Sequence, residues 1–480
     1  MSKWETMQDS YICFCQNNNL QPDQIGLEIS HAVKKLMLEI LQEGDRDAPE
    51  SASIGNYSSY ILRQNSRVRN LLLLLRQFYS QLEWLSASYS QAIIPRFFDL
   101  RKQTGDIVNY DRWESFLIAD MEEELRELYQ LDDAWSLLLT SSGMAAYATI
   151  HNFITRYLYG GDNILIPVPV YHEAEALLSG IPDVNLISLG TTDPDEIVAM
   201  INKRTKVIVL TSMTNNEAAR FVDLETTLEK ISQTVQDDQE IFVVVDGTMC
   251  GGLIRPEKML PQSSSIKLLY FESGNKYQQI EDTGMKGIVI VPSDLSADFK
   301  LIRQRIGAIL YDQIAACLPC ALSYQEFSLR MRRFSDNALH ISQKINSDPS
   351  LQSFCTINYP LHPNHPDYQY ARRYSQEQIG GVVTFSFHNG EVYDIKKLNN
   401  FIQHLIDECQ AKRLPFCKGD SYGFSFPRIH VGGSKTSKPY LRLSVGNRSL
   451  AEVDILTTCL IKSLRELKLS LNSAAPSVPT

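Results

Sequence analysis

The sequence lacks the features that mark membrane, secreted or nucleic-acid-binding proteins. No apolar run is long enough to cross a bilayer, and the first residues lack the basic and then apolar layout of a signal peptide. The net charge of −10 is spread along the chain, and basic residues form no block. We therefore expect a cytoplasmic protein with neither a membrane nor a nucleic acid among its partners.

The cysteines show no pattern of disulfides or metal ligands. Nine are scattered along the chain, and the close pairs Cys13/Cys15 and Cys317/Cys320 have neither a second pair nor a histidine at metal-ligand spacing. Reduced thiols and the absence of a bound metal are the expected state.

Length and hydrophobic pattern predict more than one domain. The 480 residues can form a large core and a second domain. Helical and β-rich runs alternate from Ser142 to Lys276, which predicts an α/β domain with a mostly parallel sheet. We expect a helical N-terminal extension at 1–95, the large α/β domain at 96–300, a long linking helix at 301–350, a smaller C-terminal α+β domain at 351–470 and a disordered tail at 471–480.

Two apolar runs end in residues that suit a cofactor site. The first, IFVVVDG, predicts a strand buried on both faces with Asp246 at its carboxyl end, where open α/β sheets bind ligands. The second, IKLLYFESGNKY, leads to Lys276 after a short polar turn. Pyridoxal phosphate needs such a pair, because an aspartate keeps the pyridine nitrogen protonated and a lysine forms the Schiff base. The spacing alone also fits two surface residues of an ordinary sheet.

Three further positions fit the same kind of ligand. A strand, the turn Ser141–Ser142–Gly143–Met144 and a helix together predict an anion site, because first-turn amides are free and the helix dipole favours negative charge. A helix cap without a ligand is the alternative. Tyr171, at a strand-to-helix junction, could cover a flat cofactor or simply pack. Asn215 lies in a polar loop after another strand.

Four motifs occur in the order of a known family: SSGMAA at 141–146, VVDGT at 244–248, SGNKY at 273–277 and YLRLSVGN at 440–447. Through them the chain resembles, from about Tyr110 to Leu467, the Cys/Met-metabolism enzymes of PLP fold type I, such as cystathionine γ-synthase, cystathionine lyases and methionine γ-lyase. The resemblance implies an aspartate aminotransferase-like fold, α/β with a smaller C-terminal α+β domain, and pyridoxal 5′-phosphate as the cofactor.

The resemblance also implies roles for matching residues. Lys276 would hold the cofactor and move protons, and Tyr171 would act beside it. Cofactor contacts would come from Gly143, Met144, Tyr171, Asp246, Thr248, Ser273, Asn275 and Lys276, and, across the interface of a homodimer or homotetramer, from Tyr110 and Arg112. Substrate contacts would come from Asn215, Ser421 and Arg442, whose planar guanidinium suits the α-carboxylate.

The implied activity is γ-elimination or γ-replacement on an amino acid with a leaving group at Cγ (or Cβ). Some positions depart from the family: Asn275 replaces Thr or Ser, Tyr277–Ile280 replaces a Gly-Gly-His stretch, and Met213 replaces a proline. Two alternatives therefore stay open. One is another fold-type-I reaction, β-elimination or transamination, and the other is a non-catalytic relative.

Overall fold

A computed structural model describes residues 35, 116–235, 239–260, 266–278, 285–310, 324–375, 378–433 and 438–473. The chain divides into two units, one formed by 1–123 and 309–320 and the other by 124–308 and 321–480. The second unit contains both sheets and every contact discussed below. Apart from residue 35, the predicted extension at 1–95 lies outside the described residues, as do Tyr110 and Arg112.

A seven-stranded sheet forms the centre of the large domain, with the strand order β1-β7-β6-β5-β4-β2-β3. Only β7 runs against its neighbours, so the sheet is mostly parallel, as predicted. In chain order the strands are β1 Trp135–Thr140, β2 Asn163–Ile166, β3 Asn185–Ser188, β4 Thr205–Thr211, β5 Ile241–Asp246, β6 Ile266–Ser273 and β7 Gly287–Pro292.

Burial on both faces explains why these strands read as continuous apolar runs. In β5 the first five residues, IFVVV, are all buried, and only the terminal Asp246 keeps some exposure. The helices of this domain are α1 Phe116–Tyr129, α2 Gly143–Ile154, α3 His172–Ser179, α4 Pro194–Ala199, α5 Leu224–Thr234 and α6 Ser296–Arg305. On one face α2 packs its Tyr147 and Phe153 into the core with Phe271 and Phe299.

The C-terminal part forms a second sheet with helices, which agrees with the predicted α+β pattern. Its strand order is β10-β11-β12-β9-β8, antiparallel except for the β10–β11 pair. The elements are α7 Tyr324–Asn346, β8 Cys355–Asn358, α8 Tyr368–Ser375, β9 Val382–Phe387, α9 Ile395–Ala411, β10 Cys417–Lys418, β11 Arg428–Gly432, β12 Tyr440–Ser444 and α10 Leu450–Ser473. No helix in the described part of the chain has the length and apolarity to cross a membrane.

Two sequence predictions need correction. The linking helix expected over 301–350 is interrupted, because α6 ends at Arg305 and Gly307 adopts a left-handed φ of +67° that ends a helix. The tail expected to be disordered from 471 begins inside α10, which extends to Ser473 and keeps Leu471 only 6% exposed. Leu467 and Leu471 lie four residues apart on one buried face, which favours the extra helical turn.

Candidate active site

The carboxyl ends of the parallel strands bring the predicted cofactor residues to one edge of the sheet. Asp246 ends β5, and its Oδ1 accepts a hydrogen bond of 2.9 Å from the Thr248 amide. Thr248 Oγ1 in turn accepts a bond of 3.1 Å from the amide of Ser273, the last residue of β6. Burial raises the pKa of Asp246, while hydrogen bonds from Thr248 and the charge of Lys276 oppose the rise. A cationic group beside this carboxylate would therefore stabilise it.

Lys276 lies in the turn that follows β6. Its amide donates to the Ser273 carbonyl at 3.1 Å, and its Nζ lies 3.3 Å from Ser273 Oγ and 5.5 Å from the centre of the Tyr422 ring. Burial, followed by the positive charge of Arg442, lowers the pKa of Lys276 to about 8, although Asp246 acts in the opposite direction. A larger fraction of neutral amine at neutral pH suits a lysine that must act as nucleophile and base.

The beginning of α2 closes tightly over the same turn. Ser142 caps the helix by accepting a 3.0 Å hydrogen bond from Ala145, so the earlier amides of Gly143 and Met144 precede the first intrahelical donors. A Cβ at Gly143 would lie 2.5 Å from Ser273 Cβ, which only glycine avoids. Ser273 Oγ also donates to Asn275 Oδ1. Helix amides, a hydroxyl and an amide thus gather where a phosphate would bind.

Arg442, on β12, faces this site from the C-terminal sheet. Its Nη1 donates to Asn215 Oδ1 at 2.6 Å, and its Nη2 donates to the Asp420 carbonyl. Beside it, Ser421 Oγ is buried and makes no hydrogen bond with any described residue. A substrate carboxylate would give this hydroxyl a partner and would meet the guanidinium as well.

Tyr171 has the exposure that a covering ring needs. It is the N-cap residue of α3, its side chain makes no capping bond, and it is 37% exposed. Burial, followed by a hydrogen bond with Glu173, raises its pKa, while the charge of Arg442 opposes the rise. A ring exposed at the start of this helix suits a covering role.

Sequence reasoning missed the aromatic and polar residues around the lysine. Both charged groups lie near the Tyr422 ring, with Lys276 Nζ 5.5 Å and Arg442 Cζ 5.2 Å from its centre. The Tyr440 hydroxyl donates to the Asn215 carbonyl at 2.8 Å and so fixes that loop. The only signal in the sequence is the density of aromatic residues in SYGFSF, at 421–426.

A second missed feature is a buried polar network behind the lysine turn. Glu272 is 1% exposed and accepts hydrogen bonds from the Tyr129 hydroxyl and, at 2.7 Å, from the Tyr270 hydroxyl. Gln278 Nε2 donates to the Tyr129 hydroxyl at 3.0 Å. Burial raises the pKa of Glu272 to about 8. The network joins α1 to the residues on both sides of Lys276.

These residues fit pyridoxal phosphate. Asp246 is a buried carboxylate that a protonated ring nitrogen would neutralise, Lys276 can hold the aldehyde carbon, and the start of α2 can hold the phosphate. The fold and this residue set agree with the fold-type-I class of pyridoxal-phosphate-dependent proteins.

Comparison with known proteins agrees. The family model described as "Cys/Met metabolism PLP-dependent enzyme" matches residues 82–411, more than half of the chain. The bifunctional enzyme flvA of Aspergillus flavus is 28% identical over 80% of this chain and 46% of its own length. L-methionine gamma-lyase of Fusobacterium nucleatum is 25% identical over 56% of this chain and 65% of its own length. The chain therefore spans less than two thirds of these two relatives.

A solved structure supports the fold. The metB protein of Corynebacterium glutamicum has a TM-score of 0.61 and 21% identity, over 79% of this chain and 92% of its own. The chain belongs to the Cys/Met metabolism PLP-dependent enzyme family. This confirms the resemblance, the fold class and the cofactor that the four motifs predict.

Proposed function

We propose that the protein removes or replaces a group on Cγ, or on Cβ, of an amino acid, as a pyridoxal-phosphate-dependent lyase or transferase. One observation carries the proposal. Lys276 and Arg442 lie near the same ring, that of Tyr422, although they come from different sheets. Asp246 is linked through Thr248 to Ser273, which contacts Lys276. A protein that kept the fold only for assembly would not need this combination of an electron-sink partner, an amine and a carboxylate clamp.

Each side chain has a distinct task in this proposal. When bound, pyridoxal phosphate supplies an electron sink for charge that develops at Cα. Asp246 carries the negative charge that pairs with the ring nitrogen. Arg442 and Ser421 bind the α-carboxylate and orient Cα, while Asn215 holds the Arg442 guanidinium. Lys276, with its lowered pKa, takes and returns protons at Cα and Cβ, and Tyr171 covers the site.

We further propose a cytoplasmic homodimer or homotetramer in which Tyr110 and Arg112 reach the phosphate of a neighbouring subunit. The family match includes both residues, which supports this proposal. Mixing inactive Lys276→Ala with inactive Arg112→Ala subunits is expected to restore part of the activity, because some sites then receive both intact residues. No recovery in oligomers shown to be mixed would contradict a shared site.

The absorbance spectrum of the purified protein tests the cofactor site. We expect a visible band that borohydride abolishes, with the reduced label on Lys276 in peptide mapping. Lys276→Ala should lose that band and all turnover. Lys267→Ala is the matched control, because Lys267 lies on β6, the strand that leads into the Lys276 turn, but pairs with Asp294 at the surface. A protein that stays colourless with added pyridoxal phosphate would overturn the proposal.

Product analysis then identifies the reaction. Elimination releases a keto acid together with ammonia, whereas transamination gives a keto acid without ammonia. Replacement gives a new amino acid when a nucleophile is added. Transamination alone, across amino acids with and without leaving groups, would contradict the proposed chemistry.

A further inference from the structure

Arg428 lies on the same face of the C-terminal sheet as Arg442. In the antiparallel β11–β12 pair, His430 is opposite Arg442 and Arg428 is opposite Ser444. Paired residues share a face, and alternate residues of one strand share it too, so Arg428 and Arg442 are diagonal neighbours. Diagonal neighbours are about 7–8 Å apart at Cα. This spacing lets two guanidinium groups contact opposite ends of one small molecule.

The Arg428 guanidinium is held in place without an anion. Its Cζ lies 3.9 Å from the centre of the Phe424 ring. Its stem runs beside Gly419, where a Cβ would lie 3.3 Å from Arg428 Cδ. Arg428 Nε is buried and has no hydrogen-bond partner among the described residues, none of whose carboxylates forms an ion pair with Arg428. A guanidinium stacked on an aromatic face keeps its planar edge for bidentate contacts.

Neighbouring arginines already have partners. Arg442 binds Asn215, and Arg448 pairs with Glu452. The acid nearest in sequence to Arg428, Asp420, lies 2.7 Å from His430 Nδ1 instead. Arg428 also adds to the positive charge at the site, because it helps to lower the pKa of Lys276. A positive charge with no ion-pair partner among the described residues thus remains near the reacting lysine.

We propose that Arg428 binds a second carboxylate, at the far end of the substrate side chain, and so selects amino acids whose side chain or leaving group ends in a carboxylate. The proposal rests on the proposed function, since Arg442 must bind the α-carboxylate. Arg428 is then a specificity-determining residue, and Phe424 is the platform that holds it.

In the holoenzyme, measurements of binding and of turnover test the proposed role of Arg428 separately. L-2-aminoadipate and L-norleucine have side chains of similar length but only the first ends in a carboxylate, and neither has a leaving group. Calorimetry should show that aminoadipate binds at least about tenfold more tightly than norleucine, as expected for a charge-assisted contact. Arg428→Ala should abolish this preference, and Arg428→Lys should restore only part of it, because an ammonium lacks the planar fork.

Turnover should show the same selectivity. With O-succinyl-L-homoserine, Arg428→Ala should raise KM at least about tenfold. The ratio of kcat/KM for O-succinyl-L-homoserine to that for O-acetyl-L-homoserine should fall by a similar factor, because any change at Lys276 affects both esters alike. Lys418→Ala is the matched control. It removes the same charge from the neighbouring strand, but Lys418 is opposite Ile429, on the other face, and donates to Asn399 of α9.

The outcomes distinguish the two proposals. Equal binding of aminoadipate and norleucine by the unmodified enzyme, or an unchanged preference in Arg428→Ala, would overturn the role of Arg428. A preference for aminoadipate that depends on Arg428, without turnover of either homoserine ester, would support Arg428 and count against the proposed reaction.

Discussion

Replacing Arg220 by alanine is expected to destabilise the protein strongly, because it leaves a buried carboxylate without its charge partner. Asp367 is 2% exposed and accepts two hydrogen bonds of 2.7 Å from Arg220, through Nε and Nη2. The Phe221 amide adds a third bond of 2.9 Å. This carboxylate therefore joins the segment after β4 to the start of α8.

The burial of the two side chains predicts how much stability the substitution removes and which of the two charges is left without solvent. Removing one partner of a buried ion pair costs about 3–5 kcal/mol, because the remaining charge is neither solvated nor neutralised. The Arg220 side chain is 38% exposed, whereas the Asp367 side chain is 3% exposed, so water can solvate the arginine but not the aspartate. Arg220→Ala should therefore lower the free energy of unfolding by more than the ion pair itself contributes. Adding Asp367→Ala should recover part of that loss of stability.

Urea unfolding of the single and double variants measures this as a double-mutant cycle. Arg373→Ala is the control, since it breaks an exposed bridge of 3.0 Å to Glu225 and should cost at most about 1 kcal/mol. The reasoning is refuted if Arg220→Ala costs no more than this control, or if the double variant is less stable than Arg220→Ala by the full cost of Asp367→Ala.

Activity should change along with stability. The Arg220 carbonyl accepts a 2.8 Å hydrogen bond from Thr214, and its amide donates one of 2.8 Å back to Thr214 Oγ1, so the loop that carries Asn215 closes on Arg220. Both bonds use main-chain atoms of Arg220, which alanine keeps, so the substitution acts on this loop through the lost ion pair with Asp367. Since Asn215 holds Arg442, a loop that loses this anchor should raise KM more than it lowers kcat. An unchanged KM in a folded variant would show that the loop keeps its shape without the ion pair.

Two further predictions concern the lysine turn. The pKa of Glu272 is raised to about 8 by burial, so ionisation costs stability: the cost is absent below the ordinary value of 4.5, grows as the pH rises and is complete above 8. Glu272→Gln should remove this loss of stability, which urea unfolding midpoints measured from pH 5 to 9 would show. The same slope of midpoint against pH in both proteins would contradict the prediction. Gly143→Ala should weaken cofactor retention about tenfold or more, since its Cβ would lie 2.5 Å from Ser273 Cβ and displace the turn. Dialysis followed by absorbance measures this, and full retention would show that the turn can move.

The sequence predicts the large sheet well, because its strands have strong local signals. Runs such as IFVVVD are apolar on both faces and end at residues that parallel strands bring to one edge. The interruption of the helix expected after 301 was missed, since Gly307 is a single residue in a segment with helical composition. The short strand β10, of two residues, has no periodicity to detect.

The position of a candidate residue was predictable where it follows from the residue's own strand, and not where it depends on strand pairing. Asp246 and Lys276 follow from the ends of β5 and β6. Arg428 does not, because its place beside Arg442 depends on the β11–β12 register and on an aromatic ring four residues away. Glu272 appears in the sequence as an isolated acid in an apolar strand, and its partner Tyr129 is 143 residues distant.

The residues after Lys276 that depart from the family pattern form ordered contacts. We therefore expect that these changes leave the site intact. Tyr277 is 1% exposed, its hydroxyl accepts a 3.1 Å hydrogen bond from the Gly381 amide, and its ring meets Phe334 edge-on at 5.2 Å. Gln278, the next residue, is bound in the Glu272 network. The two residues that follow the lysine are thus anchored, one to the C-terminal sheet and one to the first helix. A lysine turn held on both sides keeps Nζ in place beside Ser273 and Tyr422. The residues that depart from the family pattern therefore support the Lys276 turn from both sides.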